Sequence, residues 1–484
     1  VTYNGAVQQL RLTSPAWDIR EPDARLLGTA EWSAPDRLLR LAKISGRASC
    51  GTLEIPRAAI GSAVVQGDLK AKLDLAPFAG WRKAAGDAAQ QASGTVTVEA
   101  QAAADPAGSR LKLAARGQSL AVTTGAGIRW DEPAPALELT ARLPPGRGAI
   151  VLQRLMLTNS LGYLTGAGTV TNAPVPHLQF DGDLALDTAA AGRVLVARGL
   201  REPRLRGFQP RPFSLSAPLG GGWRGVLAFG QARLAFFLED LQGWGLDAGP
   251  ADLEAELADG LLSLRYAPPL ASGTLKSQVR VDVGARPMEL QLGEKAILMQ
   301  DLPLNPALMQ NLRFLNPLLA NCTAIEGQLS MEAGNGRLPL DATFTRRSDF
   351  DVAIGLRDAV LMPSGVLEQI LAYTGASGKT LELKQEQLRG ACRNGQIEIA
   401  PHQAKLRGHP VTFQGSVGLD QSLRFETVVP LTEDLVGEKA APYIAGQTLT
   451  VPVRGTVDKP RIDEAALARE ARKIATAAAQ RAMA

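Results

Sequence analysis

The chain is poor in the residues on which compact chemical sites usually depend. Over 484 residues it has three cysteines, Cys50, Cys322 and Cys392, far apart and odd in number. That excludes a disulfide framework, and no CxxC pair is present to grip a metal. Its three histidines, His177, His402 and His409, lack zinc-site spacing and read as solvated turn residues. Aromatic residues are 5% of the chain, and no apolar run reaches the ~18 residues of a membrane helix. Charge of one sign is also lacking. The 52 basic and 48 acidic residues leave only +4, without long runs. Nucleic-acid binding needs a clustered basic stripe with interleaved aromatics, and none is found, so no nucleic acid is expected as a partner.

Catalytic signatures are missing in the same way. There is no G-x-S-x-G elbow for an activated serine. The stretch Gly375–Thr380 (GASGKT) imitates a phosphate loop, but its first glycine is two residues too close and position 373 is Tyr. Glu326, Glu332, Asp351, Glu382, Glu398 and Glu426 fall on polar strand faces, and nothing singles out an acid–base pair. The expectation is a protein that is not an enzyme and carries no metal or cofactor.

What is abundant is glycine (49), proline (31) and alternation. Side chains on a strand point to opposite faces with period two, so alternating apolar and polar residues make a half-apolar ribbon. Leu69, Ala71, Leu73 and Leu75 alternate with Lys70, Lys72 and Asp74, and Leu137, Leu139, Ala141 and Leu143 with Glu138, Thr140 and Arg142. The pattern is densest from Ala324 to Val457. There Phe350, Val352, Ile354 and Leu356 form one face, and so do Val411, Phe413, Val417 and Leu419. Asp259-Gly260 and Asn394-Gly395 sit between strand-like runs and predict type I′ hairpin turns.

Helices are few. Ala-rich Phe78–Gln91 reads as one. Asn305 with Pro306 starts another that carries Leu308, Leu312 and Leu315 on one face. Ser364 caps a third through Tyr373, and Thr432 a fourth that Pro442 kinks or stops. Asp463 caps a C-terminal helix to about Ala479, with Ile462 meeting Leu467 across its first turn. Four segments follow: 1–130 and 131–300, both β-rich, then 301–460, and a C-terminal helix or tail at 461–484. The Pro/Gly-rich stretch Gln209–Trp223 offers a further boundary.

The segments Asp301–Leu340 and Phe413–Asp463 resemble the C-terminal region of AsmA-like envelope proteins. The carrying features are F-x-G-x-V before a strand, then P-L-T, a short helix, V-P-V-R-G-T-V-D-K-P and I-D. They occupy roughly the last third of the chain. The resemblance implies an all-β fold with a few short helices: an elongated, repeat-like antiparallel sheet curled into a groove or taco-like half-tube. It also implies a role in lipid transport and outer-membrane biogenesis, in the periplasm, with an inner-membrane anchor expected upstream of Val1.

Alternation alone favours a closed sandwich core, as in a structural or adhesive β protein. The resemblance turns the preference towards an open groove. Leu329, Met331, Phe344, Ile354, Phe413, Leu423 and Phe425 are then expected to line it, with Gln328, Ser330, Gln414, Arg424 and Glu426 facing water. The expected partners are phospholipid or other lipid acyl chains, the inner or outer membrane, and envelope proteins.

Overall fold

A computed structural model of the chain describes residues 2–13, 18–61, 65–77, 91–105, 108–123, 129–145, 148–171, 174–197, 204–220, 222–243, 245–294, 296–311, 322–364, 368, 380–406, 409–433, 438, 441–444, 446–457 and 459–483. The fold is all-β. Among the described residues, twenty-eight strands belong to one antiparallel hydrogen-bonded sheet, and three more form a small second sheet. Helices are few and mostly short, as the sequence leads one to expect.

Two compact units divide the chain. The first holds residues 1–194, 206–237 and 257–259. The second holds 195–205, 238–256 and 260–484. The expected segment 131–300 is therefore shared between them, and the Pro/Gly-rich stretch 209–223 lies inside the first unit rather than at a boundary. There it supplies strand Arg211–Pro218 and the start of helix Gly222–Phe229.

The first unit is an antiparallel ladder in which most strands pair with their neighbours in sequence, from Thr2–Thr13 to Gln231–Leu238. Turn chemistry fixes the register. Glu132 is the one buried carboxylate among the described residues, and both its oxygens are used: Ser160 donates its N–H at 2.9 Å and its hydroxyl at 2.7 Å. That secures the Asn159-Ser160 hairpin against the neighbouring Arg129–Glu132 strand, since a buried carboxylate needs such partners.

The second unit repeats the ladder from Ala296–Pro303 to Lys459–Ile462. Both expected type I′ turns are present, with φ of 50° and 75° at Asp259 and Gly260 and the same values at Asn394 and Gly395. Gly395 is obligatory twice over: besides its positive φ, a Cβ there would lie 1.9 Å from the Thr345 carbonyl oxygen.

The helix Pro306–Asn311 starts where expected, with Asn305 Oδ1 accepting from the Leu308 N–H at 2.8 Å. Leu312 and Leu315 lie outside the described residues, as do the helices expected at 78–90 and 364–373 (apart from Ser364 and Glu368), the GASGKT glycines, and most of the helix expected after Thr432. Pro442 occupies the first turn of the helix Ala441–Ile444, where its missing N–H costs nothing. The C-terminal helix runs Glu464–Met483, four residues longer than expected. Asp463 Oδ1 caps the Ala466 N–H at 3.0 Å, and Ile462 and Leu467 both pack on the core.

The apolar faces of the second unit's strands from Ala296–Pro303 onward meet in one core, and Leu238, Tyr266 and Leu275 form a smaller cluster beside it. Leu329, Leu356, Ile397, Val417, Phe425 and Val451 are each 1% exposed or less. Helix residues Leu308 and Met309 complete it. One polar atom is trapped there: Thr427 is fully buried and its hydroxyl has no partner. Two outcomes follow for chemical denaturation. Phe425→Ala should lower stability by about 3–5 kcal/mol, because it leaves a cavity. Thr427→Val should raise it by about 1 kcal/mol, because an isosteric methyl removes an unmet hydroxyl. A urea midpoint unchanged or lowered by Thr427→Val would contradict this placement.

Candidate functional site

The same alternation produces two different surfaces. In the second unit the structure brings together six of the seven residues expected to share a lining. Leu329, Ile354, Phe413, Leu423 and Phe425 are at most 5% exposed, and Met331 packs against them. The pairing explains why. Leu329 opposes Leu356, Met331 opposes Ile354, and Phe425 opposes Val453, and residues directly opposite one another share a face. But this face is covered by protein and offers no open lining.

Phe344 is a correction. It lies off the strands, in the single-turn helix Phe344–Arg347, and is 37% exposed. The local cause is the Asp341 carboxylate, which accepts from the Thr343 N–H at 2.8 Å and its hydroxyl at 2.6 Å and turns the chain out of the strand. Of the polar residues expected to face water, one, Arg424, is exposed, while Gln328, Ser330, Gln414 and Glu426 are half-buried among hydrogen-bonding neighbours such as Gln414 and Glu426 themselves.

In the first unit the apolar face is only half covered. Strand pairing aligns it into rows that run across the sheet. One row passes through Leu26, Gly46, Leu53, Ala71, Val98, Ala115, Leu137, Leu157, Leu164 and Leu184, one residue from each of ten strands. Leu26 and Leu157 are 41% and 39% exposed, and the other eight are intermediate. A second row runs from Leu69 through Ala100, Leu113, Leu139 and Leu155. The side chains are Leu, Val, Ala and Gly, and none of the described strands from Leu38 to Val170 contains Phe. Burial is greater along a third row, Leu111, Ala141, Leu152, Gly168 and Phe180, in which Ala141, Leu152 and Phe180 are buried, and Phe180 meets Phe213 with ring centroids 6.0 Å apart. At that end the first row meets a cation, Arg211, opposite Leu184, with its guanidinium 4.7 Å above the Phe237 ring.

Sequence reasoning placed the lining in the second unit because the alternation is densest there. The signal it passed over is volume. Inward Phe and Met can fill an interior, whereas inward Ala and Gly cannot.

Polar groups on the second unit's core face were also missed. His402 is not a solvated turn residue. It stands on strand Gln396–Leu406 opposite Phe413, its side chain is 16% exposed, and Nε2 lies 3.2 Å from Glu386 Oε2. The partners come from adjoining strands that pair only over Gly390–Arg393 and Gln396–Ile399 and then part, so the two side chains bridge the parting. Burial lowers the His402 pKa, and the Glu386 charge opposes that in part. His177 also sits on a strand, with Nε2 2.8 Å from Ser216 Oγ.

Cys322 and Cys392 lie in the core, and burial pushes their thiols up to about 12 and about 11. Among the described residues no group of His, Cys, Asp and Glu has the arrangement of a metal site, and no helix is long and apolar enough to cross a membrane. No family model, curated protein or solved structure matches this chain.

Two measurements check these placements. A depressed His pKa means that the unfolded chain binds the proton first. Stability should therefore fall as pH drops below the ordinary His value near 6.5 and continue falling through the folded pKa. His402→Gln should flatten that part of the profile, and an unchanged slope would contradict the buried placement. With a thiol reagent at mildly alkaline pH, Cys50 alone should react in the native protein, and Cys322 and Cys392 only after unfolding. Rapid native reaction of all three would place the two buried thiols wrongly.

Proposed function

We propose that the chain is a non-enzymatic cell-envelope protein that binds lipid acyl chains along the half-covered apolar face of its first unit and lets them move across the strands. The observation that carries this reading is the row from Leu26 to Leu184, apolar at each of its ten positions and nowhere fully buried. A soluble protein rarely leaves a contiguous apolar surface of this extent without an occupant. At ~4.8 Å per strand, nine steps make a row of about 43 Å. One leaflet of a bilayer is about 15 Å deep, so the row is longer than the acyl chains that would lie on it. Each covered CH₂ is worth ~0.8 kcal/mol. Successive positions along such a lining are nearly equivalent, so a chain could advance without leaving one deep specific site.

The AsmA-like wording of the last third supports the same reading. It adds the periplasm, an inner-membrane anchor, lipid transport to the outer membrane, and envelope protein partners as parts of the proposal. The rival, a structural or adhesive β protein with a closed core, draws its support from the second unit, whose apolar face is dry.

A photo-crosslinking side chain separates the two. At Val98, on the apolar row, it should capture phospholipid in cells. At Glu99, one residue on and facing the other way, it should not. Equal capture at both positions, or none at Val98, would count against the lipid-bearing face.

A further inference from the structure

The opposite face of the first unit is built differently. A cleft of about 840 Å³ opens there over strands Asp18–Ser33 to Gly108–Thr123. Its floor contains small side chains, Ala42, Ala59 and Ala103, and Ala59 is 7% exposed although it lies on the polar side of its strand. Its walls carry Arg40, Arg57, Arg110 and Lys112, with Glu31 and Asp68. Register brings them together: Arg40 opposes both Glu31 and Ala59, Arg57 opposes Ala42, Lys112 opposes Gln101, and Arg110 opposes Ala103.

Two ladder irregularities shape the depression. One lies at Lys43, whose φ is 50° and where the register shifts. The other lies between Glu54 and Ala58. Extra residues of this kind bend a strand and re-aim the side chains beside it. Arg57 lies within the second of these irregularities.

None of the four cations has an ion-pair partner among the described residues. The two carboxylates offset only part of their charge, so the cleft keeps an excess of two positive charges. Three of the four are arginines, whose planar forks match the paired oxygens of a phosphate.

We propose that this cleft is a binding site for a phosphate-bearing anion of at least two negative charges. The source is either a soluble phosphorylated compound or the phosphate of a lipid headgroup. The site is on the other side of the sheet from the aliphatic rows and does not depend on the lipid reading.

The test uses the full chain and pyrophosphate, titrated calorimetrically at low ionic strength. Binding should be saturable. It should weaken about tenfold in Arg57→Gln/Arg110→Gln, the loss expected of two exposed charged contacts. The control is Lys72→Gln/Arg116→Gln, which removes the same charge from the same face outside the cleft and should leave binding nearly unchanged. Flotation with phosphatidic acid vesicles, against phosphatidylcholine vesicles, distinguishes the source. Vesicle binding that pyrophosphate displaces identifies a headgroup. Pyrophosphate binding without flotation identifies a soluble ligand. Absence of both, or equal weakening in the control variant, overturns the site.

Discussion

Everything in this fold depends on one constraint: in a paired ladder, a residue's position fixes its face. Once hairpin turns such as Asn394-Gly395 set the register, no side chain can change sides without moving its whole strand. The antiparallel ladder therefore sorts the chain into an apolar and a polar surface before any tertiary packing is considered. What remains open is whether the apolar surface can be filled by the chain itself.

That question is decided by side-chain volume and by the few helices. In the second unit, Phe413, Phe425, Met331 and a helix carrying Leu308 and Met309 supply enough bulk to exclude water, and the face closes. In the first unit the equivalent positions hold Gly46, Ala71, Ala115 and scattered Leu and Val, and the face stays half exposed. Close packing requires matched volumes, so a lining of small residues remains accessible unless something else covers it. The proposed function rests on that difference rather than on any motif.

Much of this was legible in sequence. Alternation gave the strands, the Asn-Gly and Asp-Gly pairs gave the turns, and Asn305 and Asp463 gave their helix starts, because each rests on local chemistry. The shared face of Leu329, Ile354, Phe413, Leu423 and Phe425 was legible for the same reason. Their burial was not, since alternation says which side a residue is on and nothing about what lies over it. Phe344 escaped because a single Asp341 turn lifts it off the strand. His402 and Glu386 escaped because their contact forms where two strands stop pairing, and the cleft around Arg57 because it rests on ladder irregularities without a sequence signature.

The central claim is that the first unit's apolar face is half exposed and the second unit's is dry. Carbene footprinting with a small apolar diazirine, read by peptide mass spectrometry on the native protein, measures that difference without assuming any ligand. The account predicts strong labelling of Leu53, Val98, Leu137 and Leu139, and almost none of Leu329, Phe425 and Val453. Comparable labelling of the two sets, or labelling confined to the second, would contradict it.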